Sequence, residues 1–185
     1  MTIYSPPRRA PRGTRLIFLI GPIQGAADWQ GDAATIIGKK APGIVIASPR
    51  SGMWEPGLAK SEKARLFNIQ REWEWDHIEL AIEEGCALVY LDQEAEYIPG
   101  RSFAQTSRIE FSLILGWLTG GKGSPFRPFK GQGVTAPPVR RIVFGAHPKF
   151  SGRRYLADLL ESHRFVLHGT LDATCEAAIK MYSRR

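Results

Sequence analysis

The chain reads as an α/β protein: a doubly wound, flavodoxin-like parallel sheet of five strands in the order 2-1-3-4-5, with helices on both faces. Three observations predict this. Residues 16–20, 44–47 and 87–91 are short unbroken apolar runs, as strands buried on both faces require. Helical stretches alternate with them, which selects parallel strands joined by crossovers. The length of 185 residues suits one domain, here 15–185, large enough to bury a real core.

Residues 1–14 are rich in Pro and Arg without periodicity and are expected to form a flexible lead-in. The run 16–20 ends in Gly21-Pro22-Ile23-Gln24-Gly25, where Gly21 permits a sharp turn or close ligand approach and Pro22 stops the strand. Asp28 is placed to cap a helix over 29–39. The strand at 44–47 runs into the loop Ser48-Pro49-Arg50-Ser51-Gly52. A long helix is expected over 64–84, with Trp73, Asp76-His77, Leu80-Ala81 and Glu84 at helical spacing, and Gly85 ends it. The third strand, 87–91, leads to Asp92, and a loop over 93–105 precedes a helix reaching about 118. Residues 119–139 form a long Gly- and Pro-rich loop. A strand at 141–145, a helix over 151–163, a short strand at 165–167 and a final helix to 182, capped by Thr170 or Asp172, complete the domain.

A hydrophobic content of 43% with 23% charged residues is ordinary for a soluble protein, and no apolar run spans a bilayer. The N-terminal stretch lacks the apolar core of a secretory signal. Cys86 and Cys175 have neither metal-ligand spacing nor a disulfide framework, which fits a reducing cytoplasm. The net charge of +7 favours an anionic partner, but Arg8, Arg9, Arg12, Arg15, Arg184 and Arg185 lie at the termini, so nucleic-acid binding is disfavoured. There is no P-loop, no Gly-x-Gly-x-x-Gly fingerprint and no Gly-x-Ser-x-Gly elbow, and neither metal nor cofactor is expected. His77 and His147 are read as structural.

In doubly wound sheets, ligands bind outside the carboxyl ends of the strands where the strand order reverses. The Gly21-Pro22-Ile23-Gln24 turn, Asp92 and the helix start at Gln105-Thr106-Ser107-Arg108-Ile109-Glu110 should converge there. Glu110 is then a candidate reacting carboxylate with Asp92 as its acid–base partner. The alternative is a first-turn Glu in a helix capped by Thr106 or Ser107, completing a capping box with Ser107.

These residues resemble a family. Ile17-Phe18-Leu19-Ile20-Gly21-Pro22-Ile23 resembles the strand–turn opening of nucleoside 2-deoxyribosyltransferases, residues 87–92 their third strand with its acidic end, and Thr106-Ser107-Arg108-Ile109-Glu110 the segment leading to their glutamate nucleophile. The similarity is to the divergent deoxyribosyltransferase-like branch. It extends to Asp28-Trp29-Gln30, to Ala104 and Gln105, and to Gly145 followed by Phe150-Ser151-Gly152-Arg153-Arg154-Tyr155, over about residues 15–165. The resemblance implies cleavage or exchange of the N-glycosidic bond of a (deoxy)nucleoside or nucleotide through Glu110, with Asp92 assisting the leaving base. Gln24 and the backbone of Gly21, Pro22 and Ile23 would hold the base edge. Trp29 or Trp54 would stack on it, and Gln105, Thr106, Ser107 and Arg108 would line the site.

One position departs from the family pattern. Typical members carry an aspartate six residues before the nucleophile to hold the sugar hydroxyls, and here Ala104 stands there, followed by Gln105. Base exchange, hydrolysis by an N-glycosidase and a non-catalytic nucleotide-binding or sensing module therefore all remain open. Arg50, Arg101, Arg108, Arg153 and Arg154 at the rim would favour a 5′-phosphate. The family further implies a homo-oligomer, with Tyr182 a candidate for completing a site.

Overall fold

A computed structural model of the chain describes residues 1–54, 57–118 and 141–184. It is a doubly wound parallel α/β sheet. Six strands, β1 (Ile3–Tyr4), β2 (Leu16–Ile20), β3 (Val45–Ala47), β4 (Cys86–Leu91), β5 (Ile142–Ala146) and β6 (Leu167–His168), lie in the order β1-β3-β2-β4-β5-β6. The last five in sequence follow the expected 2-1-3-4-5 order. Every pair is parallel, with Ile17 opposite both Ile46 and Cys86. The helices are α1 (Trp29–Lys40), α2 (Lys60–Glu84), α3 (Gln105–Leu118), α4 (Arg153–Ser162) and α5 (Leu171–Ser183). The segment 119–139 lies outside the described residues.

Alternation along the strands divides the core. Phe18, Ile20, Val89, Leu91 and Phe144 point to the layer of α2, α3 and α4, where Trp73, Ile82, Phe111, Ile114 and Leu160 meet them. Ile17, Leu19, Leu88, Tyr90 and Val143 point to the layer of α1 and α5, against Trp29, Ile37, Cys175 and Ala178. Both cysteines are buried and unpaired, and burial pushes both thiols up, that of Cys175 to about 12.

The expectation of a free lead-in is corrected. Ile3 and Tyr4 pair with Ile46 and Ala47 as an edge strand. The segment after them is pinned to α2: the Trp73 indole N–H donates to the Arg8 carbonyl at 2.8 Å, and the Ala10 N–H donates to His77 Nε2 at 3.1 Å. His77 Nδ1 lies 2.7 Å from the Trp73 carbonyl, so the ring is held neutral with its proton on Nδ1. The same ring stacks on Trp73 with centroids 3.9 Å apart. Arg9 pairs with Asp76 and Glu72. A two-residue strand between prolines and arginines carries no periodic signal; it exists because the edge of β3 needs a partner.

The sheet's N-terminal end is closed by Arg15, which lies over the Tyr182 ring at 4.6 Å and accepts, through its backbone carbonyl, the Tyr182 hydroxyl at 3.3 Å. Tyr182 therefore sits beside the start of β2, away from the strand ends where a ligand would bind, and does not complete a site in its own chain.

Candidate active site

The C-terminal ends of β2 and β4 lie side by side, with Ile20 opposite Val89, which brings the Gly21 turn and Asp92 to one region as expected. A Cβ on Gly21 would collide with the Tyr90 carbonyl and the Trp29 ring, so only glycine fits between β4 and α1. The turn is held from behind. The Trp29 indole N–H and the Gln30 amide both donate to the Pro22 carbonyl, at 2.8 and 3.3 Å. Trp29 is 2% exposed and packs on Tyr90, which makes it a core residue and removes it as a stacking platform. Gln24 accepts from Arg101, and the Gly25 carbonyl accepts from Ala95 and Glu96 at 2.7 and 3.1 Å, joining this turn to the loop after β4. Ile23 is half-buried beside them. Arg50 is tied to Asp28 at 2.8 Å and to the Gln30 carbonyl oxygen of the side chain at 3.2 Å.

Helix α3 begins at Gln105, directly after Ala104, whose φ of 57° turns the chain sharply into the helix. Thr106 and Ser107 lie within the first turn, with Ser107 buried, so the capping box expected with Ser107 is not the arrangement found. Gln105, Arg108 and Ile109 face outward and line a cavity of about 750 Å³ with Gln93, Phe103 and Lys149. Thr106 is exposed and does not line it. Arg108 lies over the Phe150 ring at 4.7 Å and donates to the Ser151 carbonyl at 3.1 Å. Glu110 does not line this cavity; about 100° per residue of helical rotation turns it toward α2 instead.

There the charge of Glu74 reaches Glu110. Both are half-buried by area but densely surrounded by protein. Burial, and then the charge of Glu74, hold the Glu110 carboxyl well above the usual carboxylate range. Burial also pushes Glu74 up, to about 7, against the opposing effect of a hydrogen bond from the Gln70 amide to its Oε1 at 2.9 Å. Two carboxyls so placed retain a proton into the neutral range, because the second ionisation sets like charges against each other. Gln70 in turn accepts the Trp54 indole N–H at 2.6 Å. Trp54 is 42% exposed, so its ring is anchored by its N–H yet open to a ligand.

Asp92 is not the partner that acts on Glu110. It is buried, and its Oδ1 accepts the Gln93 N–H at 2.9 Å. Leu91 takes the α2/α3 side of the sheet, and the Asp92 charge acts on Tyr90, whose hydroxyl burial and that charge together push up to about 12 on the α1/α5 side. The charge that acts on Glu110 comes from Glu74, and that of Asp92 is felt at Tyr90. The carboxyl beside Glu110 that the sequence did not single out is Glu74. Its signal was present in the Trp73-Glu74 pair of α2, one residue on from a core position, but which helix faces it is a tertiary fact.

His147 Nδ1 accepts the Lys149 N–H at 3.1 Å, a loop-shaping role. Among the described residues no group of three or more His, Cys, Asp or Glu side chains is arranged to hold a metal ion, and no helix is long and apolar enough to cross a membrane. A comparison with protein-family models finds no match, and neither does one with curated proteins.

The pair makes stability pH-dependent with a definite sign. Both folded-state pKa values lie above the ordinary 4.5, so the folded state binds protons more tightly than the unfolded chain. This contribution is complete below pH 4.5 and, for Glu74, is lost as pH rises through about 7. Glu74→Gln is therefore expected to melt higher than wild type at pH 8 and to narrow the difference at pH 4.5, measured by thermal unfolding monitored by circular dichroism. A lower melting temperature at pH 8 would contradict the pairing.

Proposed function

We propose that this protein cleaves or exchanges the N-glycosidic bond of a (deoxy)nucleoside or nucleotide, with Glu110 as nucleophile and Glu74, in place of Asp92, as the acid. The observation that carries the reading is the facing carboxyl pair of α2 and α3 beside an anchored, exposed Trp54. The sequence resemblance to deoxyribosyltransferase-like proteins supports it independently.

The chemistry is that of a retaining glycosidase. A Glu110 oxygen attacks C1′, and the C1′–N bond breaks with its electron pair leaving on the base. Glu74 gives its proton to the departing ring nitrogen, without which a nucleobase is a poor leaving group. The resulting ester on Glu110 is then broken at C1′ by water or an acceptor base, and Glu74 takes back the proton that this nucleophile releases. One carboxyl must be ionised and the other protonated at the start; the pair's raised affinity supplies one proton between them, and the reaction proceeds from the arrangement in which Glu74 holds it. Trp54 is placed to stack on the base. Ala104, packed in the core, offers no carboxylate to the sugar hydroxyls, which favours water over a second base as acceptor.

The test is intact-mass measurement after brief exposure to a panel of deoxynucleosides and their 5′-phosphates, with proteolytic mapping. A pentosyl adduct on the peptide containing Glu110, together with free base in solution, is expected. Thermal stabilisation by the same compounds with neither adduct nor base release would point instead to a binding module.

A further inference from the structure

We propose that Gln70 is a positioning residue for Glu74, and that Trp54 sets its orientation, so that loop 48–54 governs the proton carried by the site. The inference rests on the reading of Glu74 as the acid. An indole nitrogen only donates, so the Trp54 N–H, 2.6 Å away, requires the oxygen of the Gln70 amide to face it. The amide nitrogen must then face the other way. It lies 2.9 Å from Glu74 Oε1 and 3.5 Å from the Pro49 carbonyl, so its two hydrogens meet two acceptors. The reversed amide would set donor against donor at Trp54 and oxygen against oxygen at Glu74 and Pro49. The orientation is fixed from three sides, by groups on two elements: loop 48–54 and α2.

The consequence for Glu74 is twofold. Its Oε1 is engaged by an N–H, which leaves Oε2 as the oxygen to carry a transferable proton. The same N–H favours the carboxylate and offsets part of the effect of burial. Gln70 stands one helical turn before Glu74, at i and i+4, the spacing at which two side chains on a helix meet. Other charged groups nearby are committed elsewhere. Arg9 from the N-terminal segment pairs with Glu72 and Asp76, Arg50 from the loop pairs with Asp28, and Arg71 on α2 lies over Trp75. Among the described residues, Glu110 from α3 is the group on which the charge of Glu74 acts.

The experiment is a ¹³C NMR titration of the glutamate side-chain carboxyls in the full chain, for wild type, Gln70→Leu and Trp54→Phe, run beside the pH profile of base release. In Gln70→Leu the Glu74 midpoint should rise by about one pH unit, as loss of one hydrogen bond to a charged group implies. Trp54→Phe frees the amide to turn and should move the midpoint less, in the same direction. The alkaline limb of the base-release profile should follow each shift. A Glu74 midpoint unmoved in both folded variants would overturn the inference, and if Gln70→Leu fails to fold, Trp54→Phe alone decides it. Shifted midpoints in the variants, beside a wild type that releases no base from any substrate, would uphold the positioning role while ending the proposed reaction. Unshifted midpoints with an active enzyme would do the reverse.

Discussion

Glu110→Gln is expected to abolish base release, by on the order of 10⁴-fold or more, as removal of a covalent nucleophile does. The amide is nearly isosteric, so packing between α2 and α3 survives. It also removes one member of a like-charged pair, so the variant should melt no lower than wild type and, above pH 7, higher. Glu74→Gln should lose less, about 10²- to 10⁴-fold, since general acid catalysis supplies about that much. The two variants separate on a substrate whose leaving group departs without a proton. Such a compound should restore most of the rate to Glu74→Gln and none to Glu110→Gln. Base release is read by chromatography and stability by thermal unfolding. Wild-type turnover by Glu110→Gln would remove the mechanism altogether.

The largest effect on stability is expected at Trp73. It is fully buried, packs against Phe18 with centroids 5.7 Å apart, and stacks on His77. Trp73→Ala should cost about 3–5 kcal/mol, the range for deleting a buried aromatic, read from urea unfolding. It also leaves the Arg8 carbonyl without its indole donor and His77 without its stacking face. The N-terminal segment should therefore loosen before the domain unfolds, and limited proteolysis should cut within residues 5–12 of the variant under conditions that spare wild type. Trp73→Phe, which keeps an aromatic ring but no N–H, should retain more of the stability and still expose the segment. Equal protease resistance in all three proteins would show that Trp73 does not hold the segment.

The sheet was legible because its strands obey a strong local rule. Residues 16–20 and 87–91 are apolar at every position, and only a strand covered on both faces demands that. The helices were legible from Asp28, Gly85 and Thr170, each a terminus with a mechanism. The edge strand at Ile3–Tyr4 was not, since two residues cannot display a period. Among the candidate site residues, Glu110 stands out in sequence as an acid among hydrophobic neighbours, but the carboxyl whose charge acts on it is Glu74 rather than the expected Asp92. Asp92 marks the end of β4, and position along a strand is visible in sequence. The direction a side chain takes beyond the last pleat, and the helix that rises opposite Glu110, depend on how α2 packs. Trp29 and Trp54 were indistinguishable as sequence. Their difference, a buried ring behind Gly21 against an exposed ring held by Gln70, is created by the neighbours each one meets.

The chemistry of the two cysteines has a practical consequence. Cys86 and Cys175 are the only thiols in the chain, and both are enclosed in the α1/α5 layer and held far from thiolate formation. Maleimide reagents should pass over the native protein under mild conditions. A single reactive handle introduced at the mouth of the large cavity, as in Ser102→Cys, would then take a fluorophore cleanly, and its emission would report which small molecules enter beside α3.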